Sequence, residues 1–302
     1  MQEPSRCGFV AVLGAPNAGK STLLNALVGT KVSIVSPKVQ TTRANVRGIA
    51  LYEHAQIILI DTPGIFNPSK SLERAMVSAA WQGGAEADMV MFVVDASKSV
   101  SDPKTTKLIK RLGEEANGRP AILVLNKVDK IAKEKLLQMS IALNDLYDFD
   151  ATFMISALKE KGTDDILRWL STRLPESPWH YPEDQVSDMP MRLMAAEITR
   201  EKLFNKLYQE LPYGLMVETE EWEDFDNGSI KISQLITIAR DQHKGIVLGK
   251  GGQQVKQIGE MARKELEEIL ETRVHLKLFV RVQENWADDP EKYEIIGLDY
   301  QG

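Results

Sequence analysis

From Gly14 the chain reads Gly14-Ala15-Pro16-Asn17-Ala18-Gly19-Lys20-Ser21, with Thr22 next. Two glycines five apart let the main chain curl until its N–H groups converge, and a lysine and a hydroxyl follow at once. These are the ingredients of a phosphate site. The amides and a helix N-terminus would meet phosphate oxygens, Lys20 would neutralise a β,γ-phosphate pair, and Ser21 would ligate Mg²⁺. At average residue usage the bare pattern arises by chance in roughly one per cent of chains of this length. Here it also follows an apolar run and precedes a helical one, which lowers that figure further.

Three further motifs end apolar runs. Asp61-Thr62-Pro63-Gly64 closes "QIILI", where Asp61 could hold Mg²⁺ through water and the Gly64 N–H could meet a γ-phosphate. Alone the tetrapeptide is weak, because it is also a good turn sequence. Asn126-Lys127-Val128-Asp129 closes "AILVL". A carboxylate at Asp129 can accept from guanine N1–H and the 2-amino group, and adenine offers no such pair. Such a site discriminates strongly, because the wrong base leaves its hydrogen bonds unmade. Lys127 would lay its stem over the purine, and Asn126 would tie this loop to the phosphate loop. Ser156 and Ala157 end the next run, where the Ala157 N–H could reach guanine O6. The four motifs in this order predict GTP and GDP with Mg²⁺, not ATP.

Between the first two motifs lies "SPKVQTTRANVRG". A threonine there would reach Mg²⁺ only while a γ-phosphate is present, which makes the segment a switch; read alone, it is also an ordinary polar loop. After Gly64 stands Ile65, where many GTPases carry a glutamine that orients the attacking water. Isoleucine cannot do this, so slow turnover is expected.

The elements that must position these groups follow from hydropathy. "GFVAVLG", "QIILIDTPG", "MVMFVVDAS", "AILVLNKVD" and "ATFMISA" are strand-sized runs, apolar at nearly every position and separated by helix-length stretches. That pattern predicts a mostly parallel sheet with helices on both faces, ligands binding beyond the strands' carboxyl ends. "VRGIALYEH" adds an antiparallel edge strand. Pro175, Pro178, Pro182 and Pro190 then interrupt the chain, so residues 1–174 are expected to form the nucleotide domain and 175–190 a linker. Residues 191–302 follow another plan: a helix with Met194, Ile198, Leu203, Leu207 and Leu211 on one stripe, stopped by Pro212, then a hairpin about Asp226-Asn227-Gly228. A glycine-rich loop, a helix and a last strand alternating at Val274, Leu276, Leu278, Val280 and Val282 complete it.

That loop is Gly249-Lys250-Gly251-Gly252. G-x-x-G is worthless by itself, since about one or two arise by chance in 300 residues. Its setting is not: hairpin before, amphipathic helix and strand after. This is the layout of an α+β type II KH module, whose loop clamps single-stranded nucleic acid. The net charge of −6 is uneven: residues 185–302 hold 15 Lys and Arg against 22 Asp and Glu. Around the loop the sign reverses, with Arg240, Lys244, Lys250, Lys256, Arg263 and Lys264 against Asp241 and Glu260. Phosphate contacts act within about 8–10 Å, so the local sign should prevail. Arg240, Lys244, Gly249, Lys250, Gly251, Gly252 and Lys256 are the candidate RNA-binding residues. A scaffold whose second domain grips protein is the alternative that the acidic surplus favours, and a KH-like spacer is the plainest one. Trp286 either packs the tail onto the sheet or stacks a base.

Composition excludes other classes. Cys7 is the single cysteine, so no internal disulfide or cysteine-based metal site is available. No apolar run is long enough to span a bilayer and no secretion signal is visible, so the cytoplasm is expected.

Beyond the nucleotide motifs, "VQTTR" (39–43), "YPEDQVSD" (181–188), "AAEITREKL" (195–203), "VLGKGG" (247–252) and "WADDP" (286–290) resemble the Era family across nearly the whole chain. The resemblance implies a GTPase domain followed by a KH domain, binding near the 3′ end of 16S rRNA, and a role in small ribosomal subunit assembly. It further implies GTP hydrolysis coupled to release, some inner-membrane contact and a monomer. It weighs for Thr42 over Thr41 as the Mg²⁺-reaching threonine, giving Lys20, Thr42 and Gly64 as catalytic candidates and Ser21, Thr42 and Asp61 as metal ligands. Relatives with asparagine at the place of Asn17 hold K⁺ beside the phosphates; the other reading is that Asn17 only shapes the loop. "SAL" departs from the more usual SAK or SAE, but only the Ala157 backbone is needed.

Overall fold

The computed structural model describes residues 4–99, 102–208 and 211–300. These form two compact bodies. The first comprises the chain up to Val35 and Thr42–Asp188; the second comprises Ser36–Thr41 and the chain from Met189 onward.

The first body is built on six strands: β1 (Arg6–Gly14), β2 (Val46–Tyr52), β3 (Ala55–Asp61), β4 (Met89–Asp95), β5 (Ala121–Asn126) and β6 (Ala151–Met154). Their order is β2-β3-β1-β4-β5-β6, all pairings parallel except β2 with β3 at the edge. Every residue of β3, β4 and β5 is buried, as expected for strands covered on both faces. One face carries α1 (Lys20–Val28), whose Leu23, Leu24 and Leu27 join Val10, Val12, Leu59 and Val93 in a core shared with Ile166 and Leu170. The other face carries α2 (Ser71–Glu86), α3 (Pro103–Glu115) and α4 (Lys133–Asn144), whose Ala80, Ile109 and Met139 pack on Leu13, Phe92 and Leu123. The helix bearing Ile166 and Leu170 is α5 (Thr163–Ser171).

The proline-punctuated stretch up to Asp188 belongs to this body. Buried Gln56 donates to the Tyr181 carbonyl (2.8 Å) and accepts from the His180 and Tyr181 amides (2.9 and 3.0 Å). Asp188 pairs with Arg47 at 2.9 Å.

The second body places α6 (Met191–Lys206), α7 (Asp241–Leu248) and α8 (Gln253–Leu270) against a three-stranded sheet of β7 (Leu215–Asp224), β8 (Ile230–Ile238) and β9 (Val274–Val282). β7 runs antiparallel to β8, and β9 parallel to it. Leu203 and Leu207, Val247, and Ile258 converge on Val217, Ile236 and Ile238. α6 ends at Lys206, short of the expected Pro212. The Lys38 ammonium meets the carbonyls of Phe204 and Leu207 there, a cation at the negative end of a helix. Leu207 stays buried just beyond the helix, and Leu211 stays buried at the start of a separate 3-10 turn, Leu211–Gly214. A short α9 (Pro290–Ile295) follows Trp286, which is 2% exposed and donates its indole N–H to the Gly214 carbonyl (3.1 Å). Trp286 therefore packs the tail.

Candidate functional site

All four nucleotide motifs lie at the carboxyl ends of the mutually parallel β1, β3, β5 and β6, along one end of the sheet. The turn between β1 and α1 takes Asn17 at φ 63° and Gly19 at φ 96°, both left-handed. Glycine is required at position 19, because a Cβ there would stand 2.3 Å from Asn126 Nδ2. The Asn126 amide donates to the Ala18 carbonyl (2.9 Å), and its oxygen accepts from the Lys127 and Ala157 amides (2.7 and 3.0 Å). One buried carboxamide thus joins three loops. The Ala157 N–H, expected to face a purine O6, is engaged by Asn126 instead.

Lys20 is buried, with Nζ 3.3 Å from the Gly14 and Ala15 carbonyls. Burial pulls its pKa down to about 8, against the opposing pull of the Asp61 charge. A triphosphate would favour the charged form and raise that value. Below about pH 8 the free lysine is already charged, so affinity for GTP should be flat there. Above it, binding must take up a proton, and affinity should fall by up to about tenfold per pH unit until the bound-state pKa is reached. Titration calorimetry in buffers of differing ionisation enthalpy should show that uptake just above pH 8, and Lys20→Met should not.

Asp61 is fully buried beside it, its pKa raised by burial and held back by the Lys20 charge and neighbouring hydroxyls. Its Oδ2 accepts from Ser33 Oγ (2.8 Å) and Thr42 Oγ1 (3.1 Å), and Thr42 Oγ1 lies 2.9 Å from Ser21 Oγ. Asp61 Oδ1 is buried with no partner. Two hydroxyls and an orphaned carboxylate oxygen form a set of hard oxygen donors, the kind Mg²⁺ takes, so these residues fit the cation. Thr41 turns its hydroxyl to the Lys38 carbonyl (2.9 Å), so Thr42 alone of the pair reaches this cluster. Thr62 is spent inside the fold, on the Val12 carbonyl (2.7 Å). Gly64 passes so close to Pro16 that a Cβ would lie 2.8 Å from it, which brings the second motif against the phosphate loop. Ile65 is 3% exposed in the core, its N–H on the Gly14 carbonyl (3.1 Å). It faces no water.

At the base-reading end Asp129 accepts from Ser156 Oγ (2.7 Å), and this bond leads the effects holding its pKa below the ordinary carboxylate value. Val128 begins the short turn that carries it, and its amide donates to the Ile155 carbonyl (3.1 Å). Lys127, at φ 66°, extends its ammonium to the Asn17 carbonyl (2.6 Å) and to Asp95 Oδ2 (2.7 Å). Burial works against the Asp95 carboxylate, yet bonds from Lys127 and Ser97 and the Lys127 charge hold its pKa low. Sequence reading missed Asp95 and Ser33. The only signal for Asp95 is a carboxylate ending an apolar strand; Ser33 gives none, being delivered by Asn25, whose side chain accepts from the Val32 and Ser33 amides (both 2.9 Å).

In the second body Gly249, Gly251 and Gly252 all have positive φ (70°, 59° and 76°). A Cβ on Gly249 would lie 2.7 Å from Gln254, whereas Gly251 and Gly252 face open space. Gly252 caps the start of α8 without a side-chain hydrogen bond, while the Gly252 and Gln253 amides donate to the Gly249 and Lys250 carbonyls, so any anion would meet the helix N-terminus beyond them. Arg240, Lys244, Lys250 and Lys256 are exposed around them. A cleft of about 720 Å³ in this body is of mixed charge, its lining including Lys231, Lys244, Lys277 and Arg281 with Glu220, Glu221 and Asp241, beside Phe279, which is 52% exposed.

Comparison with known proteins agrees with both halves. A family described as 50S ribosome-binding GTPase matches residues 9–127, and one described as KH domain matches 210–287. The GTPase Era of Sinorhizobium medicae is 56% identical, the match covering 98% of this chain and 95% of that protein. That of Rhizobium meliloti is 55% identical over 98% and 94%. Among solved structures, Era in complex with MgGDPNP and nucleotides 1506–1542 of 16S ribosomal RNA matches with a TM-score of 0.91 at 39% identity, covering 97% of this chain and 99% of that one. An Aquifex aeolicus Era variant bound to GDP and AlF4⁻ matches with a TM-score of 0.90 at 39% identity.

Proposed function

Because this chain belongs to the Era family of GTPases, we propose that it is a slowly hydrolysing GTP switch whose KH body binds 16S rRNA near its 3′ end during small-subunit assembly. The supporting observation for the switch is the orphaned Asp61 Oδ1 beside the Ser21 and Thr42 hydroxyls. Ser21, Thr42 and Asp61 would hold Mg²⁺, which when bound neutralises charge on the β- and γ-phosphates. Lys20 and main-chain N–H groups between Gly14 and Thr22, Pro16 having none to give, would surround the phosphates, and the Gly64 N–H would reach the γ-phosphate. Asp129 reads the guanine edge while Lys127 covers its face. Thr42, bonded here to Asp61 and set against Ser21, would turn its hydroxyl to Mg²⁺ only with the γ-phosphate in place, so GTP and GDP favour different switch arrangements. A nucleotide shifts RNA affinity by no more than its own preference between those states. With Ile65 in the core, no side chain at that position orients the attacking water, hence the low rate. We place K⁺ beside Asn17, at the left-handed tip of the loop.

The RNA partner is supported by the structural relative matched over 99% of its chain, whose complex contains nucleotides 1506–1542 of 16S ribosomal RNA. Lys250→Glu should lower affinity for a single-stranded RNA from that region by about tenfold and flatten the salt dependence by about one unit of log–log slope. Filter binding across a salt series reads both. Unchanged RNA binding would favour a protein partner for the second body. We extend the family's implications to a cytoplasmic monomer that touches the inner membrane only peripherally. Among the described residues no helix is long and apolar enough to cross a membrane.

A further inference from the structure

Asp95 is the last residue of β4 and lies in none of the nucleotide motifs, yet its side chain is 8% exposed and fully engaged. Oδ2 accepts from Lys127 Nζ at 2.7 Å. Oδ1 accepts from the Ser97 amide at 3.0 Å and from Ser97 Oγ at 2.6 Å. The sheet sets this position: Asp95 stands opposite Asn126 in the β4–β5 register, and the Ala96 N–H donates to the Asn126 carbonyl at 2.9 Å. The carboxylate therefore sits on rigid backbone one residue across from the base-reading loop. Lys127 ends on two acceptors, this carboxylate and the Asn17 carbonyl of the phosphate loop, so its tip is fixed at both sides.

We propose that Asp95 is a positioning residue for guanine-nucleotide binding, anchoring the Lys127 ammonium so that the lysine stem stands ready as one wall of the purine site. The proposal rests on the assignment of a guanine nucleotide to this pocket. A long side chain held at its tip loses its rotamer freedom on folding rather than on binding, and that preorganisation favours the complex. The bond is charge-assisted and partly shielded, the strong class of hydrogen bond. Without Asp95 the ammonium keeps one neutral acceptor and the wall loosens.

The test is release of a fluorescent GDP from the full-length protein, followed by stopped flow. Asp95→Asn should speed release about tenfold in the otherwise unchanged protein and less than about twofold in a Lys127→Met background, because an effect exerted through the ammonium vanishes once the ammonium is gone. Equal acceleration in both backgrounds would mean that Asp95 merely supports the end of β4, and would overturn the proposal. So would no acceleration in either. Should Asp95→Asn fail to fold, Ser97→Ala frees the other carboxylate oxygen and carries the same test, with about threefold acceleration that again depends on Lys127. If the unsubstituted protein fails to bind GDP at all, the nucleotide assignment falls and takes this proposal with it, a result distinct from tight binding that ignores Asp95.

Discussion

Asp129→Asn is expected to cost about 10³-fold or more in GTP affinity, while affinity for xanthosine triphosphate rises. The carboxylate is oriented before any base arrives: Ser156 Oγ holds Oδ1 at 2.7 Å, and Lys159 stands 3.6 Å from Oδ2. With its pKa lowered it is ionised throughout the neutral range and acts purely as an acceptor. Guanine presents two donors to it. An amide would set its own N–H₂ against one of them, leaving two donors facing each other without water. Xanthine carries a carbonyl in place of the 2-amino group, which that N–H₂ can meet. Competition against labelled GDP measures both affinities, and a variant that keeps its preference for GTP would mean that the base is read elsewhere.

Gly19→Ala should abolish useful nucleotide binding, with at least about a 100-fold loss of affinity. Two costs combine. A left-handed φ of 96° strains any L-residue, by about 1–3 kcal/mol. The added methyl would also stand 2.3 Å from Asn126 Nδ2, so that side chain must swing away and give up its bond to the Ala18 carbonyl. An unmade buried hydrogen bond costs about 1–3 kcal/mol more. Gly29→Ala is the control: it has φ 81° at the other end of α1, but nothing lies within 4 Å of its added Cβ. It should lower thermal stability modestly and leave GDP affinity within about threefold, since it carries the strain term alone.

The phosphate loop and the Asp61, Asn126 and Asp129 motifs were legible in the sequence because each is local, a short run of special residue types closing an apolar strand. Their neighbours were not. Ser33 meets Asp61 and Asp95 meets Lys127 across separations of 28 and 32 residues, and pairing at such range follows from strand order rather than spacing. The stretch rich in proline shows the same limit. Proline forbids helix and central strand, which was legible, but not docking; Gln56 binds three backbone groups of His180 and Tyr181, and nothing in those prolines announces it. In α6 the apolar stripe correctly marked Leu207 and Leu211 as interior while overextending the helix, because a stripe reports burial and only the backbone reports helix. The glycines at 249, 251 and 252 were readable as a turn, but their shared left-handed geometry belongs to the folded chain.

The Asn126 side chain has a consequence for how the protein empties and fills. Three separate stretches of backbone share its two polar atoms, so none can drift without stranding the others' buried groups. Purine recognition and triphosphate recognition should thus be lost or gained as a unit. Fragments such as guanosine or inorganic triphosphate, each offering half of the ligand, should bind far more weakly than their separate contacts suggest, and departure of GDP should require one concerted opening.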